Sequence, residues 1–438
     1  MFFGSHSLRR RAFVKYGLLG GAGSLLPTAS TLAAVPSSRN SVILLWMAGG
    51  PSHIDTYDMK PHAAAEIRGP FQPIATTVPG LDFCDLMPRQ AALAERLTVI
   101  RSLHHTYSVH DDGQHLVQTG VPQFNARQAG QQHPCQGSVV AYLRGPIHPE
   151  MPAYVCLPED YRSHIGFYQH AAFLGSKYHA LNGGGDPALG KYRPPEFVLP
   201  PEVDVRRLSA RRSLNAGLES RSGGFHGSKT ATIDDGRAQA YDLLLGSKAR
   251  QAFDLATEPA PLRERYGRHA WGQAALLSRR LVEAGVTFVT INLYEKDVDW
   301  WDDHSTIEKN LRGRLPIYDQ ALAALVGDLH DRGLDERVLV VACGEFGRSP
   351  RIDQQAGRGH WPGAMHAVLA GGGLRMGQVI GSTTADGGAP SDRPLTPGDL
   401  LASIYRVLDI DPQTTLHDRL GRPIPVLPPA EPIRELFG

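Results

Sequence analysis

The sequence predicts an α/β fold built on a large, mostly parallel sheet with helices on both faces. Runs of consecutive apolar residues such as Val42–Met47 and Arg337–Ala342 are typical of strands that are buried on both sides. Segments with helical apolar spacing, such as Arg263–Gly285 and Ser305–Arg332, alternate with these runs. This alternation of helix and strand favours a doubly wound sheet, and the sequence contains no internal repeat.

Composition and charge narrow the class of protein. The chain has 438 residues, of which 42% are hydrophobic and 20% charged, as in folded globular proteins. Its formal net charge of +1 gives no electrostatic reason to expect a nucleic-acid partner. The four cysteines form no CxxC pair, which excludes a zinc ribbon, and we expect buried free thiols unless export permits a disulfide.

The amino terminus has the pattern of an export signal. Arg9–Lys15 matches a twin-arginine motif, a weakly apolar run at Tyr16–Leu26 follows, and Ala29–Ala34 offers small residues for cleavage. The apolar run is too short for a stable membrane span, which needs about 20 residues. We therefore expect a signal peptide at residues 1–34, the twin-arginine export machinery as a partner, and a mature chain at 35–438 that works in the periplasm or outside the cell.

Polar residues follow the predicted strands at their carboxyl ends. His53, Asp55 and Asp58 come after the first strand, and a loop rich in histidine and aspartate between His104 and His115 follows another. Each of these residues could equally cap a turn or face solvent. Because open α/β sheets build their sites at this edge, the pattern predicts a metal-centred pocket of the kind that hydrolases have.

Other segments shape the expected surroundings of this pocket. The stretch 121–261 is rich in proline, glycine and arginine and has little periodicity, so we expect a loop-rich insertion or cap on one domain spanning 35–438. Ser305–Glu308 has a capping-box pattern at the start of a long helix, and Pro316 should bend or restart that helix. Thr396–Asp399 should start the last helix.

Four motifs together resemble one family. Ala48–Asp58, Cys343–Arg348, Gly359–Pro362 and Ala370–Gly373 are similar to the motifs of the DUF1501 family of exported bacterial proteins. That family is grouped with the alkaline phosphatase and sulfatase superfamily. The resemblance implies an alkaline-phosphatase-like α/β sandwich with one or two divalent metal ions at the strand ends.

The resemblance also implies a set of metal ligands. Asp55 matches the aspartate after the first strand, Asp302 and His304 match the pair before a long helix, and His360 matches a later histidine loop. Glu345 stands where the superfamily has an aspartate, and the histidine that should follow is replaced by a phenylalanine. The implied cofactor is a divalent metal ion, which could be zinc, calcium, magnesium or manganese.

The resemblance departs at the nucleophile. Counting back from Thr119–Gly120, where sulfatases carry Cys-x-Pro-x-Arg, reaches His110, so a formylglycine sulfatase mechanism is not expected. We expect a metal-dependent hydrolase for phosphate or sulfate esters, including those of polysaccharides. His53 and His110 would serve in acid–base steps, and Arg348 would bind the anionic ester or else pair with a carboxylate of the protein. The alternatives are an exported, non-catalytic protein that binds anionic polysaccharide and a purely structural surface protein.

Overall fold

The computed structural model describes residues 39–123, 131–157, 168–194, 204–221, 246–293 and 301–438. From residue 39 onward, the described residues belong to one compact unit. The expected signal peptide at 1–34, with its twin-arginine motif, lies outside the described residues. Among the described helices, none combines the length and the apolarity needed to cross a membrane.

The described strands and helices are interspersed along the chain. The strands are β1 (Ser41–Trp46), β2 (Pro73–Ala75), β3 (Asp82–Cys84), β4 (Thr98–Leu103), β5 (Tyr154–Leu157), β6 (Leu181–Asn182), β7 (Phe288–Asn292), β8 (Val338–Cys343), β9 (Gly347–Arg348), β10 (His360–Trp361), β11 (Met365–Gly371), β12 (Gln378–Ile380), β13 (Ser382–Thr383), β14 (Pro390–Asp392), β15 (Thr415–His417) and β16 (Pro423–Pro425). The α-helices are α1 (Ala65–Arg68), α2 (Pro88–Ala91), α3 (His110–Thr119), α4 (Gln136–Leu143), α5 (Val205–Arg221), α6 (Ser247–Phe253), α7 (Ala260–Tyr266), α8 (Ala270–Ala284), α9 (Ile307–Asp331) and α10 (Pro397–Val407).

One eight-stranded sheet organises the molecule, in the order β12-β4-β11-β8-β1-β7-β5-β6. Every strand of this sheet runs in the same direction except β11, which pairs antiparallel with both of its neighbours. The central strand β1 pairs in parallel with β7 on one side and β8 on the other. The expected large, mostly parallel sheet is therefore confirmed, and the carboxyl ends of β1, β7 and β8 meet at one edge.

Alternating side chains of the sheet enter two separate cores. In β1, Ile43 and Leu45 pack in a core that contains α8 and α9, whereas Val42 and Leu44 pack in a second core that contains α4 and α10. Successive strand residues point to opposite faces, so a strand buried on both sides must be apolar throughout. The continuous apolar run that predicted β1 is explained by this arrangement, and helices cover both faces as expected.

The stretch 121–261 contributes in part to the main sheet. Its strand β5 pairs in parallel with β7, and β6 extends the sheet beyond β5. Residues of α4 and β5 are buried, including Val139, Val140 and Val155. The described part of this stretch therefore contains core elements as well as loops. A role as a cap over the pocket stays a prediction.

The long helix α9 starts and continues differently from the sequence prediction. Thr306 precedes it with φ +46°, in the left-handed region, and no side chain caps the helix. The backbone N–H groups of Thr306 and Ile307 instead donate to the carbonyls of Gln355 and Ala356. A neighbouring loop thus satisfies donors that the Ser305–Glu308 capping box was expected to satisfy. Pro316 lies inside the helix, which does not end there. At Thr396 the predicted helix start is confirmed, with a complete capping box.

Candidate metal centre

Four parts of the chain bring polar side chains to the sheet edge where β1, β7 and β8 end. His110 is the first residue of α3, which follows β4, and Asp302 lies a few residues before α9. Glu345 follows β8 directly, and His360 lies in the short hairpin that β10 forms with β9. The sequence predicted all four positions as site residues, and the fold brings them together.

Three of these residues form a group that could hold a metal ion. One ligand atom from each of His110, Asp302 and His360 lies within 4.8 Å of the others. The Nε2 atom of His360 is 3.0 Å from Oδ1 of Asp302, and the Nε2 atom of His110 is 3.3 Å from Oδ2. Both imidazoles therefore direct the same ring nitrogen toward one carboxylate, which is 30% exposed.

The other ring nitrogen of each histidine is held by an acceptor. The Nδ1–H of His110 donates to Oε1 of Glu345 over 2.7 Å, and the Nδ1–H of His360 donates to the carbonyl of Ser108 over 2.8 Å. Carboxylates and carbonyls only accept, so each Nδ1 carries a proton. In a neutral ring the Nε2 atom then presents a lone pair toward Asp302, and two facing acceptors need a cation or a proton between them. A ligand histidine whose other N–H binds a carboxylate or carbonyl is the usual arrangement around a protein-bound metal.

The charges in the group act strongly on one another. Burial opposes ionisation of Asp302, but hydrogen bonds from His110, His360 and Arg348 outweigh it and hold the pKa of Asp302 well below its usual range. Burial likewise opposes a charge on His110, but its bonds to Asp302 and Glu345 raise the pKa of His110 to about 9. Without a metal, Asp302 is therefore a carboxylate and His110 an imidazolium. A bound cation would take the place of the proton on His110.

His304 is a fourth donor at the solvent side of the group. Its Nε2 atom lies 3.0 Å from Oδ1 of Asp302 and 2.9 Å from Nε2 of His360, and its side chain is 49% exposed. Partial burial lowers the pKa of His304, which keeps the ring neutral and able to donate a lone pair. The sequence prediction of Asp302, His304 and His360 as ligands is thus compatible with the positions of all three.

Glu345 supports the group from behind. The side chain is fully buried, and its Oε1 atom accepts from His110 and from the backbone N–H of Gly49 over 2.9 Å. Its Oε2 atom has no hydrogen-bond partner in the described part of the chain. The expectation that Glu345 is a ligand stays a prediction, and its contacts hold the ring of His110 in place. Glu345 lies outside the group whose ligand atoms converge.

Arg348 contacts Asp302 from the buried side. Its guanidinium is fully buried and donates to the carbonyls of Gly49, Gly50, Trp301 and Arg358 as well as to Asp302. The guanidinium also forms an ion pair with Asp302, which is the carboxylate pairing that the sequence analysis left open. Its role in binding an anionic ester stays a prediction.

Asp55 and His53 lie away from the group, although the sequence placed them at the same edge. Both oxygens of Asp55 accept from Arg358, at 2.7 and 3.2 Å, and one also accepts from the hydroxyl of Ser52. His53 is buried and its Nε2–H donates to the carbonyl of Gly387. Burial also lowers the pKa of His53, so the ring is neutral. Asp55 is engaged in a buried ion pair and lies outside the group of converging ligand atoms, so its role as a metal ligand stays a prediction.

The other histidines of the predicted histidine-rich loop have backbone partners. His104 bonds to the carbonyl of Leu395, His105 to that of Glu345 and His115 to that of Val121. Burial lowers the pKa of His105 and of His115. Of this loop, only His110 enters the candidate centre.

Aromatic and glycine packing fixes the geometry of the group. The ring of Phe346 lies 4.5 Å from that of His360 and 5.1 Å from that of His110, between centroids. Gly50 has φ +86°, and a Cβ atom there would stand 2.5 Å from the Phe346 ring. Phe346 stands where the resemblance would place a histidine ligand, and its ring instead packs against the rings of His110 and His360. Its position between Glu345 and Gly347 was the available signal that it packs against the site.

The donor set fits some metals better than others. Two imidazole nitrogens and one carboxylate oxygen suit zinc, manganese or iron, whereas calcium and magnesium prefer oxygen ligands. A further imidazole at His304 strengthens that preference. The four cysteines are buried and free, and burial raises the pKa of Cys84 and Cys343, so they add no thiolate to the set.

The solved structures that match this chain share little sequence with it. Ps i-CgsB in complex with k-i-k-neocarrahexaose is 11% identical, with a TM-score of 0.37 over 85% of this chain and 72% of that one. The phosphonate monoester hydrolase SpPMH of Silicibacter pomeroyi is 12% identical, with a TM-score of 0.36 over 85% and 73%. The alkaline phosphatase of the Antarctic bacterium TAB5 is 10% identical, with a TM-score of 0.37 over 85% and 99%.

A comparison with curated proteins found no match. The sequence does match a family profile, over residues 39–437, which is nearly all of the described chain. This profile is described as DUF1501, protein of unknown function, and its match agrees with the resemblance carried by the glycine-rich motifs. The chain belongs to the DUF1501 family.

Proposed function

We propose that this protein is a metal-dependent hydrolase of phosphate or sulfate esters, with His110, Asp302 and His360 as metal ligands and His304 as a fourth donor. One observation carries the proposal: the Nε2 atoms of His110 and His360 converge on Asp302 while their Nδ1–H groups are held by Glu345 and by a carbonyl. An arrangement that only stabilises the fold would not require both rings to direct Nε2 toward the same partly exposed carboxylate.

The residues of the chain have separate tasks in this proposal. Glu345 holds His110 in one tautomer, and Phe346 packs against the rings of His110 and His360. Arg348 fixes Asp302 from the buried side and leaves the exposed side for the ligand. A divalent cation held there would polarise the ester oxygen and lower the pKa of bound water from 15.7 to about 7. We propose zinc because imidazole is the main donor, with manganese as the alternative that the carboxylate of Asp302 admits.

The proposal is tested by the metal content and the turnover of three purified proteins. The wild type should contain zinc or manganese at one equivalent or more, and Asp302→Asn should lose it because the only carboxylate in the group is gone. His330→Gln is the matched control, since His330 forms an exposed pair with Asp335 in the described structure and has no part in the group. The wild type and the control should hydrolyse 4-nitrophenyl phosphate or sulfate, and Asp302→Asn should not.

Two results would overturn the proposal. The first is a wild-type protein that binds neither zinc nor manganese after reconstitution. The second is equal metal content in the wild type and Asp302→Asn. Circular dichroism of all three proteins would establish that each variant is folded.

A non-catalytic protein that binds anionic polysaccharide is the second candidate. The observation that favours it is the position of Arg348, which is buried among carbonyls and is not available to bind an ester group. Metal content does not separate the two candidates. Turnover in the wild type that is absent in Asp302→Asn would exclude the non-catalytic protein, and metal binding without any turnover would favour it.

The proposal includes polysaccharide esters as substrates and a location outside the cytoplasm. The second part rests on the twin-arginine pattern at Arg9–Lys15. Cell fractionation of the wild type and an Arg10→Lys/Arg11→Lys variant tests it, because Arg10 and Arg11 are the arginine pair that a twin-arginine signal requires.

A further inference from the structure

A groove of about 750 Å³ lies beside the candidate centre. One wall is formed by residues 65–70 at and after α1, the other by the first turns of α9, and Ile352 and Ala356 complete it. Cavities of this size hold whole organic ligands, whereas one sulfate or phosphate group needs only a small part of such a volume. The groove is thus large enough for the part of a substrate that lies beyond its ester group.

One backbone segment links the groove to the candidate centre. Thr306, in one wall, lies two residues after His304, so their Cα atoms are at most about 7 Å apart. Gly357 follows Ala356 and packs directly against the carbonyl of His304, where a Cβ atom could not fit. A ligand in the groove would therefore lie next to the segment that carries Asp302 and His304.

Buried contacts hold the groove open. Arg358, which pairs with Asp55, also donates to the carbonyl of Ile67 over 2.8 Å, and Ile352 donates to the carbonyl of Glu66 over 2.8 Å. These bonds tie the α1 wall to the loop that carries Ile352. Because the pair of Arg358 and Asp55 is fully buried, the wall is fixed before any ligand binds.

Two lining residues are in strained backbone conformations. Thr306 has φ +46° and Ala356 has φ +57°, and they are two of the five described non-glycine residues with positive φ. The N–H of Thr306 donates to the carbonyl of Gln355 and the N–H of Ile307 to that of Ala356, so the two strained segments are bonded to each other. Backbone strain that persists in this way is concentrated at functional sites.

The residues that line the groove are mainly apolar, and those on one side carry a net positive charge. Ala65, Pro70, Ile307 and Ile352 supply carbon surface, and Lys309 and Arg312 supply the cations. Glu308 accepts from Arg312, whereas the exposed ammonium of Lys309 has no ion pair in the described part of the chain. One net positive charge remains, at the end of the long helix α9 where the helix dipole is also positive. Such a lining suits a ligand with C–H faces and anionic groups.

We propose that the groove binds an anionic oligosaccharide that continues from the ester group at the metal centre. The inference rests on the proposed function and deepens it by assigning the place where the sugar part of the substrate binds. Sugar rings offer C–H faces to the apolar lining, and sulfate or phosphate groups along the chain pair with Lys309. An inorganic polyphosphate offers the charge without the C–H faces, so the groove should bind it more weakly.

Binding of a short sulfated dextran, measured by calorimetry, tests the inference without any turnover. Lys309→Glu should raise the Kd about tenfold, because it replaces an attraction by a repulsion. Ala65→Trp should raise the Kd by filling the groove with a neutral ring. The control is Lys191→Glu, at an exposed position outside the lining, and it should leave the Kd unchanged.

The same measurement on Asp302→Asn separates this inference from the proposed function. Binding in Asp302→Asn that is still weakened by Lys309→Glu supports the groove even where hydrolysis is absent. No binding of sulfated dextran by the wild type, or equal Kd values for the wild type and Lys309→Glu, would overturn the inference. Polyphosphate of matched charge that binds as tightly as sulfated dextran would also overturn it, since charge alone would then explain the binding.

Discussion

Asp55 and Asp302 have similar places in the sequence and opposite surroundings in the fold. Both lie beyond a strand at the same edge of the sheet, and the sequence predicted both as metal ligands. Asp55 is fully buried, and its two oxygens are occupied by Arg358 and Ser52. Asp302 is 30% exposed and faces three imidazole rings. A carboxylate at a strand end is thus a candidate ligand where imidazoles face it from its exposed side, even though Arg348 holds Asp302 from the buried side.

The buried carboxylate should have the largest effect on stability. Arg358→Met removes the cation that pairs with Asp55 and leaves the carboxylate buried without compensation. Breaking a buried pair in this way costs about 3–5 kcal/mol of the free energy of unfolding. Urea denaturation, followed by circular dichroism, measures the loss.

Arg351→Met is the matched control for this prediction. The guanidinium of Arg351 lies 3.5 Å from Glu66, and its side chain is 73% exposed. An exposed pair of this kind contributes about 1 kcal/mol or less. Equal losses in Arg351→Met and Arg358→Met would show that the buried pair of Arg358 and Asp55 matters no more to stability than the exposed pair of Arg351 and Glu66.

The group of His110, Asp302 and His360 is partly exposed, so a change beside it should lower metal affinity rather than the stability of the fold. Glu345→Gln keeps the size of the side chain but removes the charge that orients His110 through Nδ1–H. Loss of such an outer partner typically lowers metal affinity about 10–100-fold. Competition with a chelator of known affinity measures the change. Glu336→Gln, at an exposed position, should leave the affinity unchanged, and an unchanged affinity in Glu345→Gln would show that Glu345 has no orienting role.

Buried histidines on the Asp55 side should make stability depend on pH. His366 is buried beside His53, and burial lowers the pKa of His366 to about 3. Below about pH 6.5 the unfolded chain binds a proton that the folded protein excludes, so stability falls as the pH falls, by up to about 1.4 kcal/mol per pH unit. Above about pH 6.5 both states leave the ring neutral, so His366 causes no loss of stability there.

His366→Leu tests the effect because it removes the titrating ring. Between pH 7 and pH 5 the variant should lose about 2 kcal/mol less of its free energy of unfolding than the wild type. Urea denaturation at both values measures the difference. The raised pKa of His110 acts in the opposite direction and is common to both proteins, so it cancels in the comparison. Parallel losses in the two proteins would mean that His366 takes up a proton in the folded state.

The fold was largely predictable because its signals are local. The apolar runs of β1 and β8 and the capping box at Thr396 depend on neighbouring residues, and each was found where the sequence placed it. The start of α9 was not predicted correctly, since Gln355 and Ala356 supply its hydrogen bonds from a distant loop. Local patterns cannot report partners that the fold alone brings together.

The candidate site was predictable only in part for the same reason. The positions of Asp302 and His360 follow from the strand ends and the family motifs. Whether a carboxylate is free depends on distant partners, and Arg358 reaches Asp55 across 303 residues of sequence. Arg348 has the residue type of an anion-binding group, but its carbonyl partners belong to other segments. Whether Asp55 and Arg348 are free to bind a ligand could be judged only from the three-dimensional contacts.

The donors of the candidate centre come from three distant parts of the chain, which has a thermodynamic consequence. His110, Asp302 and His360 converge only after the sheet has formed, so the unfolded chain has no comparable site. A ligand that binds only the folded state adds RT ln(1 + [L]/Kd) to its stability, about 2.7 kcal/mol at a hundredfold excess over the Kd. The free concentration of the cation in the compartment where the chain folds would then help to set the folded fraction of the protein.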